Sequence, residues 1–335
     1  MISNTKEEKI HIIMSVESIA DSYNQHVGVT LTSIISNSSL PIAAYILYCN
    51  LVDESSYEYQ QNYTRYFEIK KKTGSEINLI HVPLDINTSL KEYFLTHPKV
   101  KILSPAAALR CFAPEVLPDV DWAIYLDTDI IVRLDLAELW IDKTSNSDAA
   151  IIGCLDEGWD FWPESFHNIH AQYGLRKETY VNSGMLIMNL RKIREEYDLN
   201  TAILPLFNAK PKLPFYDQDV INIIFKDDIQ YLPSEKYNTM IHLHPERIDN
   251  NCIMHHAAKK PWKTFDYNIH KYYWHYLLSS PWGDVNTIYP LVDTLINTSS
   301  LDSRILTGSI SNWKMFLANL SKKLCREAHS ILKNK

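Results

Sequence analysis

Glycine is scarce in this chain, with 8 residues in 335. Neither G-x-G-x-x-G nor G-x-x-x-x-G-K-[ST] occurs. Both backbone cradles commonly used for nucleotide phosphates are therefore excluded. Cysteine is sparse too, and no C-x-x-C pair exists, which argues against a thiol redox motif or a zinc knuckle. Cys49, Cys111, Cys154, Cys252 and Cys325 are scattered and odd in number, and read as reduced thiols packed like small hydrophobes. No apolar run approaches the roughly 18 residues a membrane-spanning helix needs. The polar, acidic start Met1-Ile-Ser-Asn-Thr-Lys-Glu-Glu-Lys9 lacks the pattern of a secretory signal. These features lead to the expectation of a cytoplasmic protein. The formal net charge of -7 excludes a general nucleic-acid binder.

What is present is a globular balance, 46% apolar and 22% charged. The length suits one large α/β domain with an appendage, or two domains. Ile10–Met14, Ala43–Cys49 and Ile77–Val82 read as strands, and His26–Ile35 and Ser56–Lys72 as helices between them. Pro105–Phe112 reads as a helix before a further strand. Ala149–Cys154 and Gly184–Asn189 read as later strands, and Val220–Phe225 as a helix. The aromatic, polar stretch from Asp156 to Val181 reads as a site-lining loop with a helix in it. This alternation predicts a twisted, mainly parallel sheet with helices on both faces.

The most telling segment is Ala123-Ile-Tyr-Leu-Asp127-Thr128-Asp129-Ile-Ile-Val132. An apolar strand ends in two carboxylates spaced i, i+2. In open α/β sheets, ligands bind beyond the carboxyl ends of the strands. Two acids set there repel unless a positive charge joins them. A divalent cation meets that need; a solvated turn is the bland alternative. Asp119-Val-Asp121 and Asp217-Gln218-Asp219 repeat the spacing, so the pattern alone is not decisive. Asp135, with Glu138 three residues on, reads as the cap of the helix that follows.

Other chemistry-bearing residues fall at neighbouring strand ends. Asp21 and Tyr23 follow the first strand, where Tyr23 would stack on a base and Asp21 accept its N–H; a helix-opening turn is the competing reading. Arg110, in an otherwise apolar helix, requires a partner, either structural or a ligand oxygen. Asn182-Ser183-Gly184 opens a strand, and Gly184 permits close backbone approach. Asp219 serves equally as a cap. His255-His256-Ala-Ala-Lys-Lys260-Pro-Trp262 follows an apolar run; a histidine there would complete a carboxylate site, and Lys260 is a point charge suited to phosphate. Taken singly, each of these has an ordinary structural reading.

In this order, Tyr-Leu-Asp127-Thr-Asp129 with the following Leu-Trp140, Asn182-Ser-Gly with its apolar strand, Asp217-Gln-Asp and Lys260-Pro-Trp resemble the retaining glycosyltransferases of family eight. That group includes glycogenin and lipopolysaccharide hexosyltransferases, and the resemblance runs from about Ile10 to Trp262. It implies a Rossmann-like, mixed nucleotide-sugar-binding sheet of the glycosyltransferase A type, flanked by helices, with a helical C-terminal appendage. It implies a Mn²⁺ (or Mg²⁺) ion on Asp127, Asp129 and His255, and a UDP-hexose donor of glucose or galactose. Asp21 and Tyr23 would meet the uridine, and Asp127, Thr128 and Lys260 the diphosphate. Arg110, Asp156, Asn182, Ser183 and Asp217 would surround the sugar, with Gln218 beneath its anomeric carbon; Gln218, Asp217 and Asp156 are the catalytic candidates. The family usually places six residues from ligand histidine to lysine, against five here, and the usual glycine between them is alanine. His256 is therefore the fallback ligand, and His242 and His244 are weaker ones.

The resemblance further implies transfer to a saccharide acceptor, lipopolysaccharide or another surface glycan. A nucleotidyltransferase and a non-catalytic UDP-sugar-binding protein are the rival readings. The catalytic domain is expected to span 1–271. A C-terminal helical region is expected over 272–335, its start marked by Trp274, Tyr276, Ser280, Pro281 and Trp282. Within it, 313–335 carries Trp313, Phe316, Leu317, Leu320 and Leu324 on one face and mostly basic residues elsewhere. Such a helix either lies on an anionic membrane, touching a lipid-linked acceptor, or packs on the body.

Overall fold

The computed structural model describes residues 9–50, 52–69, 71, 73–83, 105–264 and 266–284. The basic segment 313–335 lies outside them. The first strands, β1 (Ile10–Val16), β2 (Ile42–Tyr48) and β3 (Glu76–His81), alternate with α1 (Asn24–Asn37) and α2 (Tyr57–Glu68). α2 is capped by Ser56, whose side chain accepts from the Tyr59 N–H. It ends at Glu68, before the lysines expected in its last turn.

The expected helix over 105–112 is two short pieces, a turn at Pro105–Ala108 and a tighter one at Leu109–Phe112, and a third turn follows at Ala113–Val116. β4 (Trp122–Leu126) delivers the two acids, and β5 (Ile130–Val132) leaves them. α3 (Ala137–Asn146) starts a residue later than expected. Asp135 nevertheless acts as its cap, accepting from the Ala137 N–H at 3.0 Å. β6 (Ile151–Leu155), α4 (Glu164–Gln172), β7 (Val181–Asn189), α5 (Leu190–Glu196), α6 (Leu199–Phe207) and α7 (Asp217–Ile224) follow. The chain closes with β8 (Ile229–Leu232), β9 (Thr239–Met240), β10 (Ile253–His255) and α8 (Tyr267–Ser279).

Seven strands form one sheet in the order β3-β2-β1-β4-β7-β6-β8. β1 to β4 run parallel, β7 runs against both neighbours, and β8 is parallel to β6. The sheet is thus mixed. Apolar residues pack on both of its faces: Ile10, Ile12 and Met14 against α1 and α8, and Ile13, Leu47 and Tyr125 against Leu109, Phe112 and α7. Strands buried on both sides read as continuous apolar runs, which is why they stood out in the sequence.

A smaller sheet, β5-β10-β9, sits beside the carboxyl ends. β5 pairs with β10 so that Ile130 faces His255, and β10 pairs with β9 so that His255 faces Met240. The outer side of β5 is satisfied by a helix rather than a strand. Thr30 Oγ1 donates to the carbonyls of Thr128 (3.2 Å) and Ile130 (2.8 Å). Ser33 Oγ accepts from the Val132 N–H at 3.0 Å, and Asn37 Nδ2 donates to the Val132 carbonyl at 3.0 Å. These residues lie at i, i+3 and i+7, one stripe of α1.

α8 spans the position where a second region was expected to begin. Trp274 and Trp282 are buried in the same core as α1. Trp282 lies so close over Gly28 that a Cβ there would stand 2.3 Å from its ring. Residues 272–284 are therefore packed into the main body. Among the described residues, no helix is long and apolar enough to cross a membrane. Cys49, Cys111, Cys154 and Cys252 are buried and free.

Two buried histidines tie this packing to pH. His26 stacks on Trp262 at 3.6 Å and shares a hydrogen bond with the Tyr273 hydroxyl. His270 is completely buried, with Nε2 at 3.0 Å from the Lys259 carbonyl. Burial lowers His26 from 6.5 to about 3 and His270 from 6.5 to about 4. Groups depressed in the folded state stabilise it fully above the unfolded pKa, and that stability is lost as pH falls towards the folded values. The thermal midpoint should therefore drop between pH 6.5 and 4.5, each histidine removing about 1.4 kcal/mol per pH unit. His270→Gln should make the slope shallower by about one proton; a flat profile in wild type would contradict this account.

Candidate active site

β4 ends at Leu126, and Asp127, Thr128 and Asp129 form the turn into β5. Asp129 is 4% exposed. Burial alone would raise its pKa, but Lys260 and His255 outweigh that and hold it well below the usual carboxylate range. Lys260 Nζ donates directly to Asp129 Oδ2. Asp127 lies on the other side of the turn, with Oδ1 accepting from Arg110 at 2.8 Å and from the Tyr125 hydroxyl at 3.0 Å.

The small sheet brings the third donor. His255 ends β10, and its Nε2 lies 3.5 Å from Asp129 Oδ1 and 3.9 Å from Asp127 Oδ2. Its Nδ1 is engaged by Asn238 Oδ1 at 2.9 Å. One donor atom from each of Asp127, Asp129 and His255 falls within 4.8 Å of the others. Two carboxylates and an imidazole suit a divalent ion of the Mn²⁺ class. The cradle requires Gly184, since a Cβ there would meet His255 Cε1 at 2.3 Å.

His256 points elsewhere, as alternation along a strand requires. It is buried with both ring nitrogens unpartnered, beside His270 at 5.2 Å, and burial holds its pKa well below the usual range. His244 pairs with Glu157 at 3.4 Å, and His242 is not part of the three-residue cluster.

Asn182-Ser-Gly owes its placement to a bulge. Cys154 pairs with Asn182, yet Gly153 pairs with Leu186, so Ser183, Gly184 and Met185 are extra on β7. A bulge of this kind re-aims side chains. Gly184 also accepts from the Asp127 N–H at 2.8 Å, fixing the acid turn. Asn182 Nδ2 and Gln218 Nε2 both donate to Asp156 Oδ2, at 2.9 and 3.0 Å. Burial raises the Asp156 pKa, and these bonds pull it partly back. Gln218 Oε1 accepts from the Ser183 N–H at 2.9 Å.

Asp217 and Gln218 begin α7, directly after Tyr216, whose φ of +40° is a strained conformation for a side chain of that size. Burial pushes Asp217 up to about 6, against the pull of Arg110. The Arg110 guanidinium stands 3.1 Å from Asp217 Oδ2, caps the Tyr125 ring at 4.1 Å, and donates to the Ser183 and Ala107 carbonyls. It is a buried clamp between Asp127 and Asp217. Asp219 is structural: it accepts from the Tyr180 hydroxyl and the Phe215 N–H and faces His170.

Asp21 Oδ1 accepts from the Tyr23 N–H at 2.8 Å, the turn that opens α1. Tyr23 is 40% exposed and stands edge-on to Trp262 at 5.8 Å. The structure thus groups Asp127, Asp129, His255, Lys260 and Arg110 at one end of the cleft, and Asp156, Asn182, Ser183 and Gln218 beside them. Sequence reasoning did not single out Asn238, Tyr125 or Thr30.

A mixed sheet of this order with an acid turn at the end of β4 is the architecture of A-type glycosyltransferases. The pattern of glycosyl transferase family 8 matches residues 13–266, and the chain belongs to that family. The glycosyltransferase GlyF of Streptococcus pneumoniae serotype 4 (strain ATCC BAA-334 / TIGR4) is 31% identical over 224 residues, 63% of this chain and 50% of GlyF. Glucoside xylosyltransferase 1 of Mus musculus is 33% identical over 146 residues, 39% of this chain and 35% of that protein. The matched segments thus span half or less of those relatives' length. A crystal structure of the galactosyltransferase LgtC, in complex with donor and acceptor sugar analogs, superposes with a TM-score of 0.63 at 21% identity. That match covers 81% of this chain and 96% of LgtC, and shows a common fold.

Gly184→Ala should push the His255 ring out of place. The variant should keep its circular dichroism spectrum and lose at least about tenfold in Mn²⁺ affinity, as loss of ligand positioning generally does. Paramagnetic titration of Mn²⁺ measures this; unchanged affinity would show that the ring does not serve the cation.

Proposed function

We propose that this chain transfers a hexose from a UDP-sugar to a saccharide acceptor with retention of anomeric configuration. The observation that carries the reading is the convergence of Asp127, Asp129 and His255, flanked by Lys260, at the carboxyl end of β4. A divalent cation bound by those three residues would supply positive charge where the leaving diphosphate becomes more negative. Lys260 stands at the same carboxylates and adds its own charge to that diphosphate. Tyr23, exposed beside Trp262, offers the uracil ring a face. Asp156 and Asn182 line the sugar position, and their hydrogen bonds choose among hydroxyl configurations.

Retention demands either a covalent sugar intermediate or attack from the face that UDP leaves. Gln218 is a poor nucleophile, and its amide is already committed to Ser183, Asp156 and Tyr180. Asp217 is turned into the Arg110 guanidinium. Both placements favour front-face attack, in which the departing phosphate takes the acceptor's proton. Glucose and galactose are the donors we favour. The acceptor is a surface glycan, lipid-linked if the basic segment 313–335 meets a membrane.

The test is turnover of a panel of UDP-sugars, UDP-xylose included, with UDP release followed with and without Mn²⁺. Wild type should release UDP from a hexose donor. Asp127→Ala and Asp129→Ala should abolish release, and Gln218→Ala should keep a substantial part of it. Free diphosphate in place of UDP would mean nucleotidyl transfer, tight UDP binding without turnover a binding protein, and a sugar adduct trapped on Asp217 a double displacement. Removing residues 313–335 should lower sedimentation with anionic lipid vesicles several-fold; equal sedimentation would remove the membrane from the proposal.

A further inference from the structure

Asn238 lies between the turn at Ser234–Tyr237 and β9, and is 2% exposed. Its side chain bridges the two ends of the cleft. Oδ1 meets His255 Nδ1 at 2.9 Å, and Nδ2 meets Asn182 Oδ1 at 2.9 Å. Asn182 in turn accepts from the Gly184 N–H at 3.0 Å and donates to Asp156 Oδ2 at 2.9 Å.

The direction of every bond in this chain follows from two groups that cannot reverse. A backbone N–H only donates, so the Asn182 oxygen must face Gly184. An ionised carboxylate only accepts, so the Asn182 amino group must face Asp156. Both ends of the Asn182 amide are thereby fixed. Asn238 approaches the Asn182 oxygen and must offer its own amino group there. Its oxygen is left facing His255 Nδ1, which must carry the proton. In the neutral ring the lone pair is then on Nε2, the atom 3.5 Å from Asp129 and 3.9 Å from Asp127.

We propose that Asn238 is a positioning residue that locks His255 in its Nδ1–H tautomer, relaying the polarity of the Gly184 N–H and the Asp156 carboxylate to the cation-facing nitrogen. The inference rests on the metal-site reading above for its purpose, though not for its geometry. It joins the two halves of the cleft: the carboxylate beside the sugar and the imidazole beside the diphosphate belong to one polarised chain. An Asp at 238 would still accept from His255 Nδ1–H but could not donate to Asn182, so it separates the two halves.

The experiment is a long-range ¹H–¹⁵N correlation spectrum of the metal-free full chain labelled with ¹⁵N-histidine, recorded at a pH alkaline enough that the His255 ring is neutral, the His255 signals being assigned by their loss in His255→Gln. Wild type should show His255 as the Nδ1–H tautomer, and this readout needs no folded variant of Asn238. Asn238→Asp should keep the tautomer, and Asn238→Ala should show a mixture. Mn²⁺ titration in the presence of UDP should find affinity about 10- to 100-fold weaker in Asn238→Ala and largely restored in Asn238→Asp. An Nε2–H tautomer in wild type would overturn the proposal, as would wild-type Mn²⁺ affinity in Asn238→Ala. If wild type binds no Mn²⁺ at all, the metal reading fails, and the spectrum alone still decides the role of Asn238.

Discussion

Like charges crowded together from three separate elements are the constraint on which the rest of this structure depends. Asp127, Asp129, Asp156 and Asp217 share one cleft, and the last three are 4%, 6% and 5% exposed. Buried carboxylates are tolerated only with cations and hydrogen bonds in place. Arg110 is spent between Asp127 and Asp217, and Lys260 rests on Asp129. Among the described residues Asp156 has no such cation, and three N–H donors serve it, from Asn182, Gln218 and Gly158. The bulge in β7, the strained Tyr216 and the close seat of His255 over Gly184 all serve to deliver these partners. Of the two cations, Lys260 is the freer to change partner: its side chain is 27% exposed, against 4% for Arg110, which is held on every side.

How much of this was legible in the sequence depended on range. The apolar run before Asp127 announced β4 because strand burial on two faces is a local signal. The order of strand-end residues from Asp127 to Lys260 pointed to one site: β4 and β6 bring their carboxyl ends to it, and antiparallel β7 its amino end. The segment 105–112 read as one helix because it is apolar apart from Arg110; two short turns form instead, and Arg110 lies on the second. Asn238 was illegible because its value comes from register, with β9 beside β10 and His255 17 residues away. The bulge at Ser183–Met185 was equally hidden, since it exists only relative to Gly153 and Cys154. Gly184 was marked as a point of close approach, but the ring that approaches it, His255, comes from the other sheet.

His255 over His256 is a case in which spacing and geometry pull apart. The shortened run to Lys260 left the choice between neighbours open. Strand alternation decides it: one ring faces the acids, and the other enters the core beside His270. The residues from Ala257 to Lys259 lie beyond β10, outside the strand register that sets the His255 ring.

The stripe of Thr30, Ser33 and Asn37 has a further meaning. By replacing a neighbouring strand along β5, α1 makes the acid turn part of the amino-terminal half of the fold. The loop from Asp156 to Tyr180, which reaches over the other end of the cleft, contributes none of the bonds that hold Thr128, Ile130 and Val132. The backbone along β5 is thus held by α1, and the stretch from Asp156 to Tyr180 meets the acid turn only through side chains and β7. A change within that stretch leaves the bonds between α1 and β5 in place.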